Sequence, residues 1–154
     1  MLVLHAMATR LTSDESFAEQ LTRSGLRATR QRVAVLRLLD GDRGHPSATD
    51  VHARLVAKHP NLSQKTVYEI LDTLVLAGLA RRVTQISGPA RYEARLERHD
   101  HAWCRVCGKL FDVAARADRK IREQAELPHG FRLEAVQVTL EGRCARCVEA
   151  RSAR

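Results

Sequence analysis

The chain has no apolar run long enough to cross a membrane. Its opening Met-Leu-Val-Leu-His-Ala-Met-Ala falls far short of the ~20 residues a spanning helix needs, lacks a basic lead-in and soon meets Asp14 and Glu15. Neither an anchor nor a secretion signal is expected, so the chain is placed in the cytoplasm with no membrane partner. Cysteine is missing from everything before Cys104. Also missing are His-Glu-x-x-His and an His-x-Glu followed by Pro-Cys-x-x-Cys, the marks of a zinc hydrolase or deaminase, so a zinc enzyme is disfavoured. Acids are in short supply: 18 Asp and Glu stand against 26 Lys and Arg, a net charge of +8 that favours polyanionic partners. The surplus singles out neither half, because 13 basic and 9 acidic residues lie on each side of the boundary after Glu93.

What is present concentrates late in the chain. From His99 to Asp112 the sequence reads His-Asp-His-Ala-Trp-Cys-Arg-Val-Cys-Gly-Lys-Leu-Phe-Asp, which crowds imidazoles, thiols and a carboxylate into fourteen residues. The four cysteines form two Cys-x-x-Cys pairs, Cys104 with Cys107 and Cys144 with Cys147. In a reducing compartment such pairs more often hold a metal than a disulfide. Four thiolates close a tetrahedral shell and leave no position for substrate, which describes one structural Zn(II) per subunit. The 36 residues between the pairs leave room for a small subdomain.

At 154 residues and 44% hydrophobic content, the chain suits one compact domain or two small ones. Helical periodicity predicts a first helix over Asp14 to Arg23, stopped at Gly25, and a second capped by Thr29 and ending near Asp40-Gly41. Ser47-Ala-Thr-Asp50 reads as a capping-box variant that opens a third helix, closed by Pro60. A fourth runs from Gln64 to about Ala77, stopped by Gly78. Leu79 to Val83 and Ala90 to Ala94 flank a Ser-Gly-Pro turn and read as a β-hairpin. Helices closed by a hairpin make a winged helix-turn-helix. Its fourth helix would enter the major groove with Gln64, Lys65, Thr66 and Tyr68, while Arg27, Arg30, Arg81 and Arg82 meet the backbone.

The segments Gly-Leu-Arg-Ala-Thr-Arg-Gln-Arg (25–32), His-Pro-Ser-Ala-Thr-Asp-Val (45–51), Leu-Ser-Gln-Lys-Thr-Val-Tyr-Glu-Ile-Leu (62–71) and Ala-Arg-Tyr-Glu (90–93), with the His99 stretch, resemble the ferric uptake regulator family, in the family's order. The likeness is greatest to the iron- and peroxide-responsive members of actinobacteria. It implies an α+β homodimer whose N-terminal winged helix-turn-helix is followed by a small α/β dimerisation domain carrying the four-cysteine zinc site. The division expected is an extension over 1–12 without fixed structure, a DNA-binding domain over 13–93, a hinge over 94–98 and a dimerisation domain over 99–154. Carried over residue by residue, a regulatory Fe(II) or Mn(II), one per subunit, falls on His45, Glu93, His99, His101 and Asp112. The implied function is a metal-dependent transcriptional repressor of an inverted-repeat operator in double-stranded DNA.

Departures from the family pattern sharpen this. A further metal site found in many members has Arg98 and Arg119 at ligand positions, with only Asp100 kept, and is expected to be absent. Glu69 follows Tyr68 where arginine or a neutral residue is common; it would repel phosphate and could accept from a cytosine amino group. Zinc-sensing relatives use an extra cysteine, which this chain lacks, and the nickel-sensing arrangement fits poorly. Glu93 resembles iron sensors, whereas Asp112 resembles peroxide sensors, in which bound Fe(II) reacts with peroxide and a ligand histidine is oxidised. Hydrogen peroxide is therefore the one small molecule retained as a signal. An iron-only regulator and a zinc-stabilised architectural nucleic-acid binder are the alternatives. In the C-terminal part, strands are expected over Trp103 to Val106, Leu110 to Val113 and Phe131 to Leu140, and a helix over Ala114 to Leu127. The last strand could pair across a dimer axis.

Overall fold

Four helices come first in the computed structural model, which describes residues 13–83, 88–97, 99–114, 118–134 and 136–152. They are α1 (Asp14–Arg23), α2 (Arg30–Gly41), α3 (Ala48–Leu55) and α4 (Gln64–Leu76). Each opens on a Ser or Thr whose hydroxyl accepts the backbone N–H three residues on: Ser13 from Ser16, Thr29 from Arg32, Ser47 from Asp50 and Ser63 from Thr66. At Ser47 the box is complete, since Asp50 accepts in return from the Ser47 N–H at 2.8 Å. Helix α4 ends where Gly78 takes φ +70°, a left-handed turn that lets Leu79 N–H reach the Leu74 carbonyl at 2.9 Å.

The apolar stripes of the four helices meet in one core. Phe17, Leu21, Val35, Leu36, Leu39, Val51, Leu62, Val67, Leu71 and Leu74 are almost completely buried there, and Tyr92 closes it from the hairpin. Burial at about 1.5–3 kcal/mol per large side chain makes this stripe the main stabiliser of the N-terminal half. The hairpin is β1 (Arg81–Val83) against β2 (Arg91–Glu93), antiparallel with Arg81 opposite Glu93. Strand β2 also touches the start of α3: Tyr92 N–H donates to the Pro46 carbonyl at 3.1 Å, and Arg91 bridges to Ser47.

The chain then crosses to a second unit made of β3 (Asp100–Cys104), β4 (Leu110–Val113), α5 (Asp118–Gln124), β5 (Thr139–Gly142) and α6 (Ala145–Ser152). Its sheet has the order β4-β3-β5, with β4 antiparallel and β5 parallel to β3. The register sets His101 opposite Asp112 and places Cys104 at the far end of the same strand. Side chains for two different sites are thus spaced along β3.

Several sequence expectations differ from this. The last strand covers Thr139–Gly142 rather than Phe131 to Leu140. His101 pairs with Thr139, so the 131–137 run overshoots the first residue of β3 and joins no ladder among the described residues. The strand expected over Trp103 to Val106 begins earlier and stops at Cys104, where Gly108 N–H folds back onto the Cys104 carbonyl at 2.8 Å. Of the helix expected over 114–127, α5 ends at Gln124 and residues 115–117 lie outside the described residues, while α6 has no counterpart in the expected elements. The extension over 1–12, the hairpin tip at 84–87, Arg98 and the Arg119 side chain lie outside the described residues.

Candidate metal centre and nucleic-acid interface

His45, Glu93, His99, His101 and Asp112 converge, with one potential ligand atom from each lying within 4.8 Å of all the others. His45 comes from the α2–α3 loop, Glu93 from the end of β2, His99 from just before β3, His101 from β3 and Asp112 from β4. His45 Nε2 lies 3.2 Å from Glu93 Oε2 and 3.0 Å from Asp112 Oδ1, and His99 Nε2 lies 2.9 Å from Glu93 Oε2. The His101 ring stands edge-on to those of His45 and His99, with centroids 4.8 and 4.7 Å away. His45 is 1% exposed and Glu93 2%.

The backbone is bent to achieve this. His45 has φ +52°, the left-handed region that a residue with a Cβ enters at a cost of roughly 1–2 kcal/mol. The loop is held by Asp42, which accepts from the Gly44 N–H and from Arg54, and by Arg91, which donates to the His45 carbonyl at 3.4 Å. Because Arg91 and Glu93 share β2, the same strand fixes the His45 backbone and supplies its carboxylate neighbour.

Do these residues fit a metal? Two inward-facing atoms, His101 Nε2 and Asp112 Oδ1, are buried without a hydrogen-bond partner among the described residues. Their nearest opposite groups, at 3.5 and 3.0 Å, are poorly aligned for one. Ligands about 2.0–2.2 Å from a first-row ion stand at most about 4.4 Å apart. The cluster is therefore wider than a closed shell by only a few tenths of an ångström. Burial works against charge on Glu93, but His101, His45 and Arg81 outweigh it and hold its carboxyl well below the usual carboxylate range. Three imidazoles and two carboxylates suit Fe(II) or Mn(II), so the donor set fits a divalent first-row ion.

The second cluster is Cys104, Cys107, Cys144 and Cys147, whose sulfurs also lie within 4.8 Å of one another. None is in a disulfide, and the Cys107 and Cys144 sulfurs stand 3.8 Å apart, about the edge of a tetrahedron with 2.3 Å zinc–sulfur bonds. The Cys144 backbone N–H, 3.3 Å from the Cys104 sulfur, helps pull that thiol down to about 6. Cys147, crowded by Cys144, is pushed up to about 12. Four thiols at this spacing ionise together only around a cation, so this set fits a closed zinc site.

Most of the residues expected at DNA are exposed. Arg27, Arg30, Gln64, Lys65, Tyr68 and Arg82 are exposed, and Thr66 is half-buried against the Ser63 hydroxyl. Gln64 donates to Thr49 at 3.0 Å, and Lys65 lies 3.7 Å from Glu69. Arg81 turns inward instead, to Glu93 and His99. Sequence reasoning missed the arginines around the metal cluster, namely Arg81, Arg43 and Arg95, because spacing cannot distinguish an arginine facing phosphate from one facing a carboxylate.

Residues 23–141 match the ferric uptake regulator family. The chain belongs to this family. It is 33% identical over 138 residues to the transcriptional regulator FurA of Mycobacterium tuberculosis, spanning 89% of this chain and 93% of FurA. It is 32% identical over 129 residues to the peroxide operon regulator of Bacillus subtilis, spanning 84% and 89%. The fold superposes on the ferric uptake regulator of Helicobacter pylori, described as having three functional metal-binding sites, with a TM-score of 0.73 and 25% identity over 91% of this chain and 97% of that one. Winged helix, small α/β unit and four-cysteine cluster thus occur here in a family of metal-responsive transcriptional regulators. Two clusters with metal-ligand chemistry are present among the described residues, and Asp100 belongs to neither.

Proposed function

We propose that this chain is a cytoplasmic, metal-dependent repressor that acts as a homodimer on an inverted-repeat operator. Cys104, Cys107, Cys144 and Cys147 would hold a structural Zn(II), and His45, Glu93, His99, His101 and Asp112 a regulatory Fe(II) or Mn(II). The observation that carries this is the convergence of five ligand atoms from both sides of the 94–98 hinge. His45 and Glu93 belong to the unit bearing the recognition helix α4, and the other three to the β3–β4 sheet. A divalent ion would supply one positive charge centre shared by both sets, favouring the closed arrangement over any in which they separate.

The chain's own residues prepare this response. Arg91 and the Asp42 loop hold His45 in place, while the β3–β4 register holds His101 against Asp112. With the wing and α4 fixed to the sheet, two such subunits would present two α4 helices about one DNA turn (~34 Å) apart. A second copy is the natural cover for the apolar side chains left exposed on the sheet unit, including Phe131, Leu140 and Val148. Peroxide is the finer signal proposed beside iron: Asp112 favours it by resemblance, and the likeness to a peroxide operon regulator agrees. Glu93 keeps an iron-only regulator as the second reading. No catalytic turnover is proposed.

The assignment of residues is tested by His99→Ala and Asp112→Ala. Both should keep the zinc and the folded dimer while losing Mn(II)-dependent DNA binding by at least about tenfold, measured by gel shift with and without Mn(II). Full metal regulation in both variants would remove these residues from the site.

A further inference from the structure

Arg43, Arg81 and Arg95 surround the five-residue cluster, and they meet it differently. Arg95 donates to Asp112 Oδ2 at 2.9 Å, and Arg43 reaches the same oxygen at 3.5 Å; the inward Oδ1 stays clear of both. Arg81, on the wing strand β1, comes closer to the metal ligands. Its Nε donates to Glu93 Oε1 at 2.5 Å, and its Nη2 lies 3.1 Å from Nδ1 and 3.3 Å from Nε2 of His99. His99 Nδ1 is 2.7 Å from the Glu97 carbonyl and its Nε2 is 2.9 Å from Glu93 Oε2, so the ring is held between two acceptors. Arg81 Nη2, at nearly equal distances from the two ring nitrogens, lies against the His99 ring, so its positive charge stands beside the nitrogens a metal would take.

We infer that Arg81 is the metal's internal rival: in the metal-free protein its guanidinium occupies Glu93 and His99, and it thereby sets the concentration at which the regulatory site fills. Two features set it apart from a solvated surface charge. Its cross-strand position opposite Glu93 is built into the β1–β2 register, and its two partners are 3% and 4% exposed at the side chain. A guanidinium is never deprotonated, so this competition does not fade at any physiological pH. Its cost to the ion is twofold: a like charge within a few ångströms, and a donor on Glu93 Oε1 that must be released before that oxygen can coordinate. Arg43 and Arg95 do not share this role, because they hold Asp112 by the oxygen that the cluster does not use.

This inference rests on the regulatory-site assignment above, and one experiment separates the two. Mn(II) affinity is measured without DNA, by electron paramagnetic resonance of free Mn(II), on full-length zinc-loaded wild type, Arg81→Gln, Arg81→Lys and Arg23→Gln, the last a control on the exposed face of α1. Arg81→Gln should bind Mn(II) roughly tenfold more tightly, and Arg81→Lys should tighten by less, since an ammonium cannot span both partners. Arg23→Gln should match wild type. Unchanged or weaker binding by a folded Arg81→Gln protein would overturn the inference while leaving the site assignment standing. If Arg81→Gln does not fold, Arg81→Lys decides, with any tightening supporting the inference and none overturning it. Wild type that binds no Mn(II) would overturn both.

Discussion

Asp112 divides its oxygens between two tasks: Oδ2 takes Arg95 and Arg43, and Oδ1 is left buried and unpartnered beside His45. Outer donors that pin one oxygen orient the other, which is how a carboxylate is prepared as a ligand. Glu93 differs: both of its oxygens face the cluster, Oε2 towards His45 and His99 and Oε1 towards His101, and it is Oε1 that Arg81 takes. The cysteines follow a different rule. Their only role on this reading is to close a shell, so Cys104→Ser should lose zinc and with it the cooperative folding of the β3–β4–β5 unit. Zinc content and near-ultraviolet circular dichroism check this together, and a stable zinc-free fold would contradict it. The histidines carry the redox question. If peroxide is a signal, brief peroxide treatment of the Fe(II) form should add one oxygen to His45 or His99, read by tryptic mass spectrometry. Intact histidines with DNA binding unaffected would leave iron as the sole signal.

At the scale of elements, the helical half was legible because its signals are local. Ser47-Ala-Thr-Asp50, Ser63 and Gly78 announce their caps within four residues, and α3 and α4 begin where they say. Ser47→Ala should therefore destabilise the protein by about 1 kcal/mol at pH 7, measured by urea denaturation. Hydrogen bonds from Ser47 hold the Asp50 carboxyl below its ordinary value, so the stability it contributes is present above the unfolded carboxylate range and is lost on acidification. The gap between Ser47→Ala and wild type should accordingly shrink as pH falls below about 4. The second unit was less legible, since its strands depend on partners far along the chain. Leu133, Ala135-Val136 and Val138 interleave with polar residues and read as a strand, yet the register of β5 carries that run past the end of β3. Helix α6 is built from the helix-forming Ala-Arg-Cys-Val-Glu-Ala-Arg run, but it carries Cys147 of a Cys-x-x-Cys pair, a signal that reads as a metal-binding turn. The four-cysteine cluster was readable from spacing alone. The five-residue cluster was readable only through family resemblance, since its members come from five segments up to 67 residues apart. Arg81 read from sequence only as a wing cation facing DNA, and its inward role depends on its register opposite Glu93.

For the molecule as a whole, the proposed division is that one site holds the fold and the other reports on it. The positive surplus is shared by both halves, so on the proposed reading affinity for DNA would depend on how α4 and the wing are presented rather than on charge alone. Moving an open-to-closed equilibrium from 1:99 to 99:1 takes about 5.5 kcal/mol of differential binding, within reach of a site with five protein ligands. A zinc-stabilised architectural binder would share the fold, the cysteines and the charge, but it would have no use for the His45 strain or for ligands drawn from both units. The direct measurement is fluorescence anisotropy of an operator duplex titrated with zinc-loaded protein, with and without Mn(II) at constant ionic strength. We expect Mn(II) to raise operator affinity by roughly 100-fold or more. Equal affinity in both titrations would contradict metal-controlled repression.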